Sequence, residues 1–314
     1  MKHTSTQTSD PFAVHSLSFK AMGSPCTLHA QGEREHALAV LQLAKQEVLR
    51  LEQKYSRYLN TSVTQHINQH AGQTKVDVDA ETAGLLNYAQ ICFEQSDGLF
   101  DITSGVLRRV WNFRENRLPR QQDIEACLKS VGWQFVLWDG QQVQFERPDM
   151  ELDFGGVVKE FAADRVAALC EQQGLTAGLI ELGGDIRVIG PKQTADQQSE
   201  PWMVGIRHPQ TGDAMASIPV WQGGVATSGS YERFMVVNGQ RYCHILNPKT
   251  GWPVRGVASV SVLAPQCVVA GSLTTMAMLK GEQGHDWLAE QDATFLLLSD
   301  DGVISGTLDA GVFN

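Results

Sequence analysis

The stretch that most constrains the fold spans residues 152–165 and reads LDFGGVVKEFAADR. An apolar residue and an acid precede two glycines, and apolar positions such as Ala163 and Val166 then recur at helical spacing. This pattern predicts a strand, a tight turn and a helix that ends near Gly174. The glycines, the free N–H groups of a helix start and Lys159 together suit a phosphate-bearing ligand. A glycine turn that serves packing alone is an equally good interpretation of this motif by itself.

The composition of the chain limits which classes of function it can have. The chain has 314 residues, of which 42% are hydrophobic and 19% charged, enough for one large domain or two lobes. The formal net charge of −10 argues against a general binder of nucleic acid, because a phosphate backbone would be repelled. No apolar run approaches membrane-spanning length, so we expect no membrane insertion.

Two further features bear on the compartment. The six cysteines are scattered without a C-x-x-C pair, which gives no sign of a zinc ribbon or a dithiol redox motif. Residues Met1 to Pro11 are polar and lack an apolar signal-peptide core, so we expect a cytoplasmic protein.

In the first half of the chain, helices and turns are the clearest signals. Apolar residues at helical spacing predict a long helix over Glu35–Tyr55, and a second helix is expected over Ala80–Ser96. We also expect a strand pair, or a strand with a turn at Gly23-Ser24-Pro25, within Ser16–Ala30. A polar loop is expected over residues 114–122 and a hairpin at Asp139-Gly140.

Most elements predicted in the second half of the chain are strands. A hairpin around Gly183-Gly184 is expected within residues 178–188, and Asn238-Gly239 is the strongest hairpin signal of the sequence. Six further strands are predicted at 202–207, 216–220, 224–228, 232–237, 241–246 and 258–263, then helices at 268–279 and 283–290 and a strand at 293–298. We therefore predict an α+β fold with two interleaved lobes, mixed, largely antiparallel sheets and flanking helices, in one domain over residues 16–314 after a flexible tail, 1–15.

Polar clusters sit at four of the expected turns. They are residues 56–58, 100–103, 153–159, and 227–229 together with 244–248. Each cluster alone is most often a capped turn or hairpin, but four of them in one chain indicate a functional site. His244 follows an apolar strand and precedes a loop, although a lone histidine is more often structural than catalytic.

In chain order, these clusters and their flanks form a longer set of blocks. The blocks are Met22-Gly23, 56–58, 99–103 with Trp111-Asn112-Phe113, 152–164, Leu182-Gly183-Gly184-Asp185, 226–233, 244–253 and 259–281. Together they resemble the ApbE-like FAD:protein FMN transferases over most of the chain. The combination is specific, whereas each block alone is weak.

The resemblance implies an enzyme that binds FAD in a cleft between the lobes. With Mg²⁺, such an enzyme transfers the FMN part to a Thr or Ser hydroxyl of an acceptor flavoprotein and releases AMP. The resemblance gives His244 the role of base and assigns the metal to the Gly156 carbonyl, Thr274 and Thr275. The FAD contacts that it implies are Met22, Tyr58, Leu99, Phe100, Asp101, Asp153, Lys159 and Leu246.

Three positions depart from the family pattern. The leading metal-binding Asp falls on Gly271, an Asp or Ser falls on Thr274, and Asn247 stands where Asp is common. A site that lacks one carboxylate should depend on the FAD pyrophosphate for its metal. Three other functions therefore stay open: an FAD pyrophosphatase, a non-catalytic FAD-binding protein, and an unrelated α+β domain with glycine turns.

Overall fold

The structure, a computed structural model, describes residues 10–208, 214–308 and 311–312. The strands in this part of the chain are Val14–Ala21 (β1), Ser24–Gln31 (β2), Val76–Asp77 (β3), Val136–Trp138 (β4), Gln142–Phe145 (β5), Gly178–Leu182 (β6), Asp185–Gly190 (β7), Lys192–Gln193 (β8), Ser199–Glu200 (β9), Trp202–Arg207 (β10), Ala214–Val220 (β11), Gly223–Gly229 (β12), Phe234–Val237 (β13), Gln240–Cys243 (β14), Val257–Ala264 (β15), Thr294–Ser299 (β16), Ile304–Gly306 (β17) and Gly311–Val312 (β18). Residues 1–9 of the predicted tail lie outside the described residues, and β1 begins within the predicted tail at Val14.

The α-helices are Arg34–Tyr55 (α1), Val63–Gln69 (α2), Ala80–Gln95 (α3), Gln121–Leu128 (α4), Val158–Gln172 (α5), Cys267–Lys280 (α6) and Gly284–Glu290 (α7). Short 3-10 helices cover Ser104–Arg109, Trp133–Phe135, Phe154–Gly156 and Gly281–Gln283. In the described part of the chain, no helix is both long and apolar enough to cross a membrane.

An eight-stranded sheet organises the molecule. Its order is β1-β2-β6-β7-β12-β15-β16-β17, and each neighbouring pair is antiparallel. The N-terminal hairpin thus pairs with β6, far along the chain, with Leu28 opposite Ile180. This pairing interleaves the two halves of the sequence, and the predicted α+β class with largely antiparallel sheets is confirmed.

The two faces of this sheet bury different partners. Side chains alternate along a strand, so Phe295 and Leu297 of β16 join the core shared with the helices. Leu296 and Leu298 face the other way, into a second core shared with the smaller sheet β10-β11-β18. A third cluster joins the 3-10 helix at 104–109, α4 and the β13–β14 hairpin. The main sheet is therefore the middle layer of the fold.

Helices α5 and α6 are joined by one carboxylate. Asp164 of α5 accepts hydrogen bonds from the N–H groups of Cys267 and Val268, each at 2.9 Å, in the first turn of α6. The α6 N-cap residue, Gln266, makes no side-chain capping bond of its own. Arg187 of β7 also pairs with Asp164 at 3.2 Å. Burial raises the pKa of Asp164, and these donors offset part of that rise. Asp164 thus caps the neighbouring helix and fixes its position along α5.

The strand predicted before the double glycine is absent. Leu152 donates its N–H to Asn68 Oδ1 at 2.7 Å and accepts from Asn68 Nδ2 at 3.0 Å, so a side-chain amide replaces the neighbouring strand. Asp153 then donates its N–H to the Ile102 carbonyl at 2.8 Å. These bonds satisfy the backbone locally, and the chain passes directly into the 3-10 helix at Phe154–Gly156.

Two short helices were not predicted, and one turn is shifted. Helix α2 buries only Thr64 and Ile67, and α4 buries only Ile124, so neither shows a long apolar period. Helix α4 also shortens the loop predicted over residues 114–122, because it begins at Gln121. The β1–β2 turn uses Met22 and Gly23, one residue before the predicted position.

Two of the two-residue hairpin turns place a residue other than glycine in left-handed backbone. The predicted turn at Asn238-Gly239 is confirmed, with φ of 52° and 77°. Met22 and Gly23 have φ of 52° and 74°, and a positive φ is uncommon for a residue such as Met22. The Met22 N–H is held by Glu52 Oε1 of α1 at 2.6 Å, which anchors this turn to the helix layer.

We expect Asp164→Ala to lower the free energy of unfolding by roughly 2–4 kcal/mol, because two N–H groups and the Arg187 guanidinium lose a buried acceptor. Urea denaturation followed by circular dichroism measures the change. Asp123→Ala is the control, since its carboxylate pairs with Arg120 at the surface and should leave the denaturation midpoint unchanged. Equal midpoints for the two variants would show that Asp164 does not join the helices as described.

Candidate active site

The Asp153–Lys159 segment, called the cradle below, is a partly exposed turn that leads into α5. Asp153 Oδ1 accepts from the Gly155 N–H at 2.9 Å and so shapes the turn at 154–156, where Gly155 and Gly156 are exposed. Helix α5 starts without a side-chain cap. A helix start of this kind leaves donors for an anionic ligand. This geometry is compatible with an anionic ligand, and phosphate binding at the cradle stays a prediction.

Lys159 is held over the turn between β6 and β7. Its ammonium group pairs with Asp185, which is 4% exposed at the start of β7. Gly183 in that turn has φ of +59°, and a Cβ there would lie 2.7 Å from the Ser24 side chain and 3.5 Å from Lys159 Cδ. A side chain at position 183 would therefore clash with Ser24, whereas Lys159 passes the turn at ordinary contact distance. Asp185 fixes where the charge of Lys159 points.

Arg57 is a site residue that the sequence reasoning did not assign. Its guanidinium pairs with the Asp153 carboxylate and donates to the Tyr58 hydroxyl at 2.8 Å. It also lies 4.9 Å from the centre of the Tyr58 ring, which is 75% exposed. The hydrogen bond from Arg57 lowers the pKa of Tyr58. Arg57 thus links the phosphate cradle to an open aromatic surface.

The loop after α3 packs against the cradle. The Phe100 ring lies 3.7 Å from the position that a Gly156 Cβ would occupy. Asp101 is buried and accepts from Thr103 N–H and Oγ1, at 2.8 and 2.7 Å, and from Trp133 N–H at 3.0 Å. Burial raises the pKa of Asp101, and these bonds offset part of the rise. Its carboxylate shapes the loop that presents Leu99 and Phe100.

His244 lies just after β14 and is half-buried. Its Nδ1 is 3.1 Å from the Arg233 carbonyl oxygen, which can only accept, so Nδ1 carries the proton and Nε2 keeps a lone pair. Burial lowers the pKa of His244 below 6.5, and the bond to Arg233 offsets part of the shift. The charge of Arg233 also lowers the pKa of Tyr58, which brings these three residues into one electrostatic neighbourhood.

The remaining predicted metal residues lie on α6 beside β12. Thr274 is fully buried, donates to the Gly271 carbonyl at 2.8 Å and contacts Ser228 Oγ at 2.9 Å. Thr275 is half-buried and lies 3.4 Å from the same Ser228 hydroxyl. Ser228, Thr274 and Thr275 therefore form a cluster of three hydroxyls. Ser228 belongs to the 226–233 block, to which the resemblance gives no role.

Leu246 and Met22 lie in separate parts of the fold. Leu246 forms an isolated bridge with Pro253 and packs on the cluster around Trp111. The Met22 turn is brought toward the cradle because the Gly183 N–H donates to the Pro25 carbonyl at 3.0 Å. Direct contacts link Asp153 to Arg57 and Lys159 to Asp185, whereas Leu246 and Met22 stay predicted contacts.

The candidate site is exposed to solvent at Tyr58, Gly155 and Gly156. Two cavities, of about 270 and 530 Å³, lie beside β14 and β16, and neither is lined by Asp153, Lys159 or Thr275. Within the described ranges, no three His, Cys, Asp or Glu side chains are grouped so as to hold a metal ion. A cation here would need carbonyl, hydroxyl and ligand oxygens as well as protein carboxylates.

Comparison with known proteins assigns the family. The model of the ApbE family matches residues 22–297. The chain belongs to the ApbE family. An FAD:protein FMN transferase from Treponema pallidum is 32% identical over 280 residues, which are 83% of this chain and 77% of that protein. One from Klebsiella pneumoniae is 31% identical over 308 residues, covering 93% of this chain and 92% of that protein.

Solved ApbE structures have the same fold. An ApbE protein from Thermotoga maritima superposes with a TM-score of 0.85 at 32% identity, over 94% of this chain and 97% of that one. The flavin transferase ApbE from Vibrio cholerae gives a TM-score of 0.83 at 25% identity, over the same shares of the two chains.

At Gly271, where the ApbE resemblance implies an Asp, a different side chain fills the space. A Cβ at this position would lie 2.5 Å from Glu160 Cγ, 3.0 Å from its Cδ and 3.1 Å from its Oε1. Glu160 is 8% exposed, and its Oε2 has no hydrogen-bond partner in the described part of the chain. A buried carboxylate therefore lies beside the predicted metal residues of α6, and carboxylate, carbonyl and hydroxyl oxygens are donors that suit Mg²⁺.

We expect Gly105→Ala to destabilise this ApbE protein by about 1–3 kcal/mol, because its Cβ would lie 2.6 Å from Asp153 Cβ and push on the cradle. Chemical denaturation measures the loss. Gly84→Ala is the matched control, since it lies mid-helix in α3 with nothing within 4 Å and should stabilise by up to about 1 kcal/mol. The expectation fails if both variants shift the midpoint in the same direction.

Proposed function

We propose that this protein is an FAD:protein FMN transferase that attaches FMN to a Thr or Ser hydroxyl of an acceptor flavoprotein and releases AMP. The observation that carries the proposal is the uncapped start of α5 beside Lys159, whose charge is fixed by Asp185. Backbone donors and one oriented cation suit a pyrophosphate better than a single carboxylate ligand. The ApbE membership and the names of its relatives supply the reaction class.

The FAD contacts follow from this placement. The pyrophosphate would lie at Lys159 and the Asp153 turn, and an aromatic ring of FAD would stack near Tyr58, whose exposed face suits a flat partner. The remaining contacts that we propose are Met22, Leu99, Phe100, Asp101 and Leu246. Of these, Asp101 acts through the loop it shapes, because three protein donors already occupy its carboxylate.

His244 is the base that we propose. The acceptor hydroxyl oxygen attacks the phosphorus on the FMN side, the bridging P–O bond breaks, and AMP leaves with the bridging oxygen. The hydroxyl proton passes to His244 Nε2, which is free because Nδ1 donates to the Arg233 carbonyl. The lowered pKa keeps the imidazole neutral near pH 7, as a base requires.

We propose Mg²⁺ as the metal, held by the Gly156 carbonyl and by Thr274 and Thr275. When bound, the ion would neutralise charge on the pyrophosphate. Thr275 is the more open of the two hydroxyls, whereas Thr274 already donates to Gly271 and helps to position the start of that helical turn. We also propose the cytoplasm as the compartment, since the six cysteines are all free thiols.

The direct test combines the protein with FAD, Mg²⁺ and an acceptor protein that another family member labels. Transfer gives a fluorescent flavin band that survives denaturing electrophoresis, with AMP released in equal amount. An acceptor whose modified Thr or Ser is replaced by Ala is the control. AMP without any acceptor would instead identify an FAD pyrophosphatase, and FAD binding without AMP would identify a non-catalytic binding protein.

We expect His244→Asn to lower the transfer rate by about 10²–10⁴-fold with FAD affinity unchanged, because the amide can still donate to Arg233 but offers no base. For the unmodified protein, the rate should stay high as pH falls past 6.5 and decline only below it, since the pKa of His244 is lowered. Stopped-time assays across pH measure both effects. His36→Asn, on the exposed side of α1, should change neither. An acid limb at or above pH 6.5 would remove His244 from this role.

A further inference from the structure

We propose that Glu160 supplies the carboxylate of the metal site in this chain, in place of the Asp that the family pattern puts at position 271. The inference rests on the proposed transferase function, and it concerns a residue on the helix opposite Gly271. Its basis is a contact between α5 and α6 that cannot be read from either segment alone.

The first observation is steric. A Cβ on Gly271 would meet Glu160 Cγ at 2.5 Å, closer than side-chain carbons approach in proteins. Glu160 Oε1 would lie 3.1 Å from the same point. The carboxyl group of Glu160 therefore occupies the region into which a residue at 271 would extend. Gly271 and Glu160 fit as a pair, whereas an Asp side chain at position 271 would collide with Glu160.

The second observation is an unsatisfied charge. Among the described residues, Glu160 Oε2 is buried without a hydrogen-bond partner, and Oε1 lies 3.7 Å from Lys159 Nζ, too far for a hydrogen bond. Lys159 makes its close ion pair with Asp185 instead. A buried carboxylate in this state is costly unless a cation comes to it. A divalent ion would satisfy the free oxygen without displacing Lys159.

The third observation is spacing. Thr275 follows Gly271 by four residues within α6, so these two residues lie about one helical turn apart on the same face. Gly156 ends the short 3-10 helix that leads into α5, four residues before Glu160. The contact between Glu160 and Gly271 turns these two sides toward each other. One carbonyl, one carboxylate and one hydroxyl thus converge from two segments. Glu160 thus restores the negative charge that an Asp at position 271 would supply, but it does so from α5 and not from α6.

The test measures binding of Mn²⁺, a spectroscopic substitute for Mg²⁺, by electron paramagnetic resonance of the free ion in the presence of FAD. FAD affinity is measured separately, without metal, by quenching of flavin fluorescence. Glu160→Gln keeps the shape of the side chain and should weaken Mn²⁺ binding by roughly tenfold or more, because even indirect partners of a metal contribute that much. Glu171→Gln, on the exposed end of the same helix, should leave Mn²⁺ binding unchanged.

A carboxylate swap makes the test specific. In Glu160→Ala/Gly271→Asp the crowding side chain is gone and the acid stands on α6, so Mn²⁺ affinity should return to within about threefold of the unmodified protein. Without metal, Glu160→Gln should not lower the melting temperature, because it removes a buried charge that has no hydrogen-bond partner. A purely structural role for Glu160 would instead lower it.

The outcomes separate this inference from the proposed function. Unchanged Mn²⁺ affinity in folded Glu160→Gln overturns the inference, and so does a folded swap variant that binds FAD but fails to recover Mn²⁺. If the swap variant does not fold, the comparison of Glu160→Gln with Glu171→Gln decides alone. A protein that binds no FAD and transfers no FMN would refute the transferase proposal itself.

Discussion

The alignment of α5 with α6 is the constraint on which the candidate site depends. Asp164 caps the first turn of α6 from the middle of α5, and Arg187 ties the same carboxylate to β7. Lys159 and Glu160 lie one turn before Asp164 on α5, and Gly271 lies one turn after the capped N–H groups on α6. A capping bond this close to the functional residues fixes which side chains meet. A slip of one residue would rotate each set by about 100° and separate Glu160 from Gly271.

Charge in the site is arranged by pairs that leave one group unmatched. Arg57 neutralises Asp153, and Asp185 neutralises Lys159, so the groups nearest the cradle carry little net charge of their own. The Arg57–Asp153 pair instead orients the Tyr58 ring, and the Asp185–Lys159 pair orients the lysine ammonium group. Glu160 is the exception, since its Oε2 lacks a partner among the described residues. Such an arrangement favours an anionic ligand that binds together with a divalent cation, because the charges of the ligand and the cation largely cancel.

The sequence predicted the regular parts of the fold well, for physical reasons. Long amphipathic spacing identified α1, and Asn238-Gly239 identified the β13–β14 hairpin because left-handed backbone favours those residues. The strand expected at Leu152 was wrong, since an apolar residue before glycines gives no sign that the Asn68 amide will take the place of a strand. Helix α2 was missed because two buried residues make no period.

Prediction of the site residues was limited in a similar way. Blocks quoted from the resemblance included Phe100 and Gly156, which the structure brings into contact. Arg57 lies in the 56–58 block, but the resemblance gives it no role. Its ion pair with Asp153 is what assigns it to the site. Glu160 could not be found by matching motifs position by position. Its significance depends on a missing side chain more than a hundred residues away in the chain.

The pairing of β2 with β6 has a consequence for how the protein is made. Ala30 lies opposite Gly178, so the N-terminal hairpin leaves the ribosome long before its partner strand exists. Until then, the outer edge of β2 has unpaired N–H and C=O groups, an arrangement prone to association with other chains. The ion pair between Lys159 of α5 and Asp185 also forms late, because the β6–β7 turn that positions Asp185 forms only with β6 and β7. During synthesis, the cradle is therefore among the last parts of the first two-thirds of the chain to form.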